Sequence, residues 1–225
     1  RIKGRWARLK TLYEEFRKAL DEQDKDRAVE ICIKAIDEER TDIPGLYLHV
    51  LTPALNEWDC DYESDRLCIW NEHVRSSIVR TVMECCYPYI ARKKRERFGD
   101  VKGPKVAVVC PIEEYHEIGA RMIADIFALA GYDVTFAGAN TPQDSFLEAV
   151  KGLKPLYVAV SISNYYNLIS GRRVISQIKQ WTPQSRIIVG GNAFRNNPEY
   201  WKEIGADIYL TDPVEILKMG ERDLK

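Results

Sequence analysis

The stretch 105-KVAVVCPIEEYHEIGARMIADIFALAGYDVTFAG-138 decides the fold. It opens on a β-branched run, 105–110, and closes on another, 132–138. Between them, residues 117–130 carry a helical pattern. Nearly continuous apolar strands belong in a parallel sheet covered on both faces. Three more such runs follow: LYVAVSIS (156–163), RIIVGG (186–191) and ADIYLTD (206–212). Helical patterns over 142–153, 169–181 and 198–204 fill the gaps. Five β–α units predict a doubly wound α/β domain over 105–225. It is flavodoxin-like (Rossmann-like), with a five-stranded parallel sheet in the order 2-1-3-4-5 and right-handed crossovers.

Upstream, the period changes to that of helices. Trp6, Leu9, Leu12, Tyr13, Phe16 and Leu20 recur at steps of three and four, as do Ala28, Ile31, Cys32, Ala35 and Ile36. A third helix starts near Pro44, with Pro53 expected to kink it. A fourth runs from about Asp65 past Tyr87, with Pro88 expected to kink or end it. Four amphipathic helices predict an all-α four-helix bundle over 1–98. Residues 99–104, rich in glycine and proline, read as a linker. The basic run ARKKRERF (91–98) reads as a solvated helix end whose charges suit the helix dipole.

Composition narrows the function. The 225 residues hold 33 Lys+Arg against 34 Asp+Glu, a net charge of −1. That balance argues against broad binding to a phosphate backbone, so no direct nucleic-acid binding is expected. No stretch has the length of a membrane span and no signal segment is visible, although a chain starting at Arg1 need not show its natural beginning. The six cysteines form no CxxC pair, and most sit in apolar patterns. They predict free thiols in a reducing, cytoplasmic setting, with no disulfide framework and no zinc site.

Open parallel sheets bind ligands beyond the carboxyl ends of their strands, at the switch point between the first and third. There the first strand runs into His116, one of three histidines, with Glu114 before it and Gly119 after it. The third strand ends at Ser161-Ile162-Ser163 and the fourth at Gly190-Gly191. Each alone has an ordinary structural reading: a loop histidine, helix-capping serines, a tight turn. The chain lacks G-x-G-x-x-G after the first strand, lacks a G-x-x-x-x-G-K-[ST] loop, and has no aspartate ending the third strand. Dinucleotide, nucleotide-phosphate and receiver-type functions are therefore not supported.

Together these residues resemble the cobalamin-binding domain family, whose signature is D-x-H-x-x-G, then S-x-L, then G-G. Here the pieces read Glu114-x-His116-x-x-Gly119, Ser161-x-Ser163 and Gly190-Gly191, with 41 and 26 residues between them. Gly138 and Pro142 match the family's turn after the second strand. Glutamate stands where the family has aspartate, and Ser163 where it has leucine. The resemblance implies bound cobalamin (adenosylcobalamin or methylcobalamin), base-off, with His116 on cobalt. Glu114 would accept from the imidazole, with Ser161 completing the relay. The glycines would leave room for the displaced nucleotide tail. Tyr115, Glu117 and Asn192 flank these positions and join the candidate set.

The stretch LNEWDCDYESDRLCIWNEHVRSSIV (55–79) resembles the helical cap of light-sensing cobalamin regulators. A tryptophan and a Glu-His pair there lie over the upper ligand. Glu72-His73 match the pair, and Trp58, or else Trp70, the tryptophan; an insertion lengthens the intervening loop. The resemblance thus implies a sensory, transcription-regulating photoreceptor module rather than an enzyme, reporting loss of the upper ligand to a partner or through oligomeric state. The alternative is a corrinoid protein carrying a methyl group for a cobalamin-dependent methyltransferase. A mutase subunit would need a catalytic barrel that these residues do not contain.

Overall fold

The computed structural model describes residues 2–58, 60–61 and 63–224, with side chains from Trp6 onward. The chain forms two compact units, one ending at Ile90 and the other beginning at Ala91.

In the first unit, α1 (Ile2–Asp21) and α2 (Lys25–Asp37) lead into a segmented third helix. The Asp24 carboxylate caps α2 by accepting from the Arg27 N–H at 3.0 Å. Leu12, Phe16 and Leu20 are buried with Ala28, Cys32 and Ala35, as their spacing requires. The third helix consists of α3 (Ile43–Leu46), a π-helical turn (Tyr47–Leu51) and α4 (Thr52–Asn56). Pro53 has no N–H for the carbonyl four residues back, and its ring crowds that carbonyl. The widened turn just upstream absorbs both, so the expected irregularity takes the form of a π-turn.

The last helix does not end at Pro88, one of the two outcomes expected there. α5 (Cys68–Phe98) continues through Pro88 for 31 residues. Pro88 deprives one turn of one donor, while Val82, Met83, Cys86 and Ile90 are buried on either side of it. The packing of both halves outweighs the local proline cost of about 3 kcal/mol. The basic run forms the last turns of this helix, the helix end its sequence suggested. Gly99, at φ 64°, ends it by donating its N–H to the Arg95 carbonyl at 2.8 Å.

A second correction concerns the cysteines. Cys60 and Cys68 form a disulfide, with Cα atoms 5.3 Å apart. The loop before α5 turns back on itself: Glu63 N donates to Asp61 Oδ1 at 3.1 Å and Leu67 N to Asp65 Oδ1 at 2.8 Å. That return brings Cys60 beside the first residue of α5, within bridging distance. Apolar patterning could not report this contact. Cys32, Cys85, Cys86 and Cys110 are free thiols.

The second unit is a parallel sheet in the order β2-β1-β3-β4-β5. Its strands are β1 (Lys105–Val109), β2 (Asp133–Gly138), β3 (Tyr157–Ser161), β4 (Arg186–Gly190) and β5 (Ile208–Tyr209). The helices between them are α6 (Ile118–Leu129), α7 (Gln143–Leu153), α8 (Leu168–Trp181) and the short α9 (Tyr200–Glu203). A final α10 (Glu215–Asp223) has no counterpart in the sequence reading. Alternate strand residues feed two cores. Val109, Val158, Val160, Ile187 and Val189 pack with α7 and α8, and Val106, Val108, Ala159 and Ile188 with α6 and α10. Both faces are thus covered, as the unbroken apolar runs demand. Among the described residues no helix is long and apolar enough to cross a membrane.

Candidate functional site

The carboxyl ends of β1, β2, β3 and β4 converge at one edge of the sheet. The β1–β2 register slips between Val108 and Val109, and the loops beyond are then stapled together. Cys110 N donates to the Gly138 carbonyl at 3.2 Å, and Asn140 N to the Glu114 carbonyl at 2.9 Å. The Asn140 side chain accepts from Glu113 N at 2.9 Å, and the Glu117 carboxylate from Ala139 N at 2.9 Å. The His116 loop is therefore positioned by the loop after β2 as well as by its own strand.

Glu114 is the centre of this edge. Its side chain is 0% exposed and its two oxygens divide their work. Oε1 accepts from His116 N at 3.0 Å and lies 2.6 Å from His116 Nδ1. Oε2 accepts from Ser163 N and Asn164 N, each at 2.9 Å, and from Asn167 Nδ2 at 3.1 Å. Burial alone would raise its pKa. The donors from His116, Asn164 and Asn167 prevail and bring it down to about 2. An ionised carboxylate 2.6 Å from Nδ1 favours the tautomer that carries its proton on Nδ1.

The His116 side chain is 63% exposed, so a pinned imidazole presents itself at the surface of a buried anchor. An imidazole whose other nitrogen donates to a carboxylate is the usual state of a metal-ligating histidine. The residues present therefore fit a cobalt held in a corrin ring. The Ser161 hydroxyl is not among the partners of Glu114 in the described residues. The backbone of Ser163 and Asn164 and the amide of Asn167 take the place expected for it.

The glycines divide by cause. Gly191 has φ +110°, and a Cβ there would lie 2.2 Å from the Ile162 carbonyl oxygen, so the backbone itself requires glycine. A Cβ at Gly190, paired with Ser161 across β3 and β4, would meet only the Leu210 carbonyl oxygen at 3.6 Å. At Gly119 it would meet nothing within 4 Å, so the face beside the first turn of α6 is open. Gly138, at φ +86°, lies against the Glu117 carboxylate. Tyr115 is 67% exposed beside His116, and Asn192 is an exposed residue opening the 3-10 turn after Gly191.

The four cap candidates lie in the first unit, and no hydrogen bond or ring contact joins Trp58 to Glu72 or His73 among the described residues. Trp58 instead stacks under the Arg75 guanidinium, 4.5 Å from its centroid, with the indole Nε1 buried and unpartnered. Arg75 is held by Asp21 at 2.5 Å. Glu72 and His73 are exposed on α5, and Trp70 is 67% exposed one turn before His73. Sequence reasoning missed Asn140, Asn164 and Asn167. Their one visible signal is asparagine placed just beyond strand ends, where its side chain can satisfy loop backbone.

Comparison with known proteins agrees with this geometry. A family model described as a B12 binding domain matches residues 104–218, and a second model with the same description matches residues 12–87. The chain is 24% identical over 202 residues to trimethylamine corrinoid protein 1 of Methanosarcina acetivorans, spanning 88% of this chain and 90% of that protein. It is 25% identical to the HTH-type transcriptional repressor CarH of Myxococcus xanthus, but over only 56% of that protein. Among solved structures, the monomethylamine corrinoid protein of Methanosarcina barkeri superposes with a TM-score of 0.77 at 15% identity, covering 95% of this chain and 98% of that one, a likeness of fold. The cofactor is a cobalamin. The expectation of a light-responsive transcriptional regulator is corrected: a corrinoid protein matches along nearly its whole length, whereas the repressor matches along about half.

Proposed function

The chain belongs to the B12 binding domain family, and on that premise we propose that it is a corrinoid protein carrying a methyl group for a partner methyltransferase, with His116 as the lower axial ligand of cobalt. The observation that carries the reading is the near end-to-end match to a trimethylamine corrinoid protein. A methylated amine is accordingly the donor class to examine first. Bound cobalamin supplies a metal centre able to accept and release a methyl group. The protein's own residues do the holding. Glu114 favours the proton on Nδ1 of His116, which would leave Nε2 to hold the metal. Gly190 leaves its side of the crevice unfilled, which suits passage of the displaced nucleotide tail.

The test is reconstitution with hydroxocobalamin, reduction, and addition of trimethylamine with a methylamine methyltransferase, followed by absorption. Partner-dependent methyl uptake is expected, as is loss of the imidazole-bound signature in His116→Ala. An unaltered spectrum in His116→Ala would overturn the ligand assignment. Failure to take up methyl from any methylated donor would overturn the carrier function.

A further inference from the structure

Asn167 closes the short 3-10 turn Tyr165–Asn167 between β3 and α8. Its side chain is buried, and its amide has two tasks. Nδ2 donates to Oε2 of Glu114 at 3.1 Å and to the backbone carbonyl of Glu113 at 3.2 Å. Glu113 itself is held at φ +67°, in the left-handed region that a glutamate rarely adopts. One amide thus grips the loop that carries the histidine at two points: the carbonyl of a strained residue and the carboxylate that orients the ring.

The longer stem of glutamate explains why such a grip is needed. With one methylene more than aspartate, the Glu114 carboxylate reaches from the β1 loop to the loop after β3, but it gains a rotatable bond. Oε1 is committed to His116, so the torsion is fixed at Oε2. Asn167 is the side chain that donates there; the other two donors are backbone N–H groups of Ser163 and Asn164.

We propose that Asn167 is a positioning residue for the axial histidine: acting through Glu114, it sets the orientation and tautomer of His116. The proposal rests on His116 as cobalt ligand for its consequence, but its first readout does not. In the cofactor-free protein, imidazole nitrogen NMR distinguishes Nδ1–H from Nε2–H, and His116 is one of only three histidines. The wild type should show the Nδ1–H form. Asn167→Leu, which removes the donor at similar volume, should show a mixture with Nε2–H, as should Asn167→Ala.

Reconstitution with cob(II)alamin supplies the second readout. Electron paramagnetic resonance should show imidazole nitrogen splitting in the wild type, and its partial loss in Asn167→Leu. Hydroxocobalamin affinity should fall on the order of 10-fold, the lower end of what losing an outer-shell partner costs. In tautomer and splitting, Glu114→Ala/Asn167→Leu should match Glu114→Ala, because the amide's remaining bond, to the Glu113 carbonyl, does not reach the ring. A purely structural Asn167 would lower the melting temperature and leave tautomer and splitting as in the wild type, and that result overturns the proposal. So does a further change of tautomer or splitting in the double variant beyond Glu114→Ala. If Asn167→Leu does not fold, the milder Asn167→Ser, which shortens the donor, is read by the same tautomer measurement. If the splitting is absent from the wild type or persists in His116→Ala, the ligand assignment fails, while the tautomer shift still judges Asn167.

Discussion

At the scale of the residue, Glu114 converts a departure from the family pattern into an anchor. Five hydrogen bonds from three segments meet one buried carboxylate. Its pKa in the fold, about 2, lies below the ordinary value of 4.5. A group depressed in this way stabilises the fold above its unfolded pKa, and that stabilisation drains away as pH falls toward the folded value. Roughly 3 kcal/mol of pH-dependent stability is therefore expected to disappear between about pH 4.5 and pH 2. Denaturant unfolding of the cofactor-free wild type and Glu114→Gln across pH 7 to 3 measures it: the gap between the two should narrow as the pH drops. Curves that stay parallel would show that the carboxylate is not the titrating anchor.

At the scale of the element, two features depart from sequence rules for the same reason. Pro88 sits within α5 because packing on both sides holds the helix together. Cys60 and Cys68 pair because a loop whose turns are fixed by Asp61 and Asp65 brings them together. Closing a loop of this length stabilises by about 2–3 kcal/mol in the chain-entropy view. Cys60→Ser, or a dithiol reductant acting on the wild type, should lower the unfolding midpoint of the first unit. It should leave the indole–guanidinium stack of Trp58 on Arg75 in place, because Asp21 and the Ala54 carbonyl hold the guanidinium. Calorimetry and near-ultraviolet dichroism read the two effects separately, and a midpoint insensitive to reductant would contradict the first.

At the scale of the whole molecule, α5 belongs to both units. Beyond Ile90 its side chains serve the second: Lys94 Nζ donates to the Tyr132 carbonyl at 2.6 Å, and Arg97 pairs with Glu221 at 3.5 Å. The Phe98 ring also lies against Gly131. A fragment beginning at Ala91 should therefore unfold cooperatively, whereas one beginning at Lys105 should melt lower, as thermal dichroism would show. Equal midpoints would mean that the last turns of α5 add nothing.

Much of this molecule was legible in order along the chain. The nearly continuous apolar runs at 105–110 and 156–163, set against helical periods upstream, determined the two-part architecture, and the doubly wound fold class carried the sheet order. The resemblance of Glu114, His116, Ser161 and Gly190-Gly191, at their spacings, to the cobalamin-binding signature implied the cofactor. Periodicity and motif spacing record which face a residue presents and how far apart strands end, and both are local properties. Tertiary structure alone decided that the Glu114 carboxylate is met by Asn167 and the backbone of Ser163 and Asn164 rather than by Ser161, that Gly191 is required by the Ile162 carbonyl, and that Cys60 meets Cys68. Those are contacts made where loops cross in space. Their partners are chosen by the path of the backbone, which no single stretch of sequence carries.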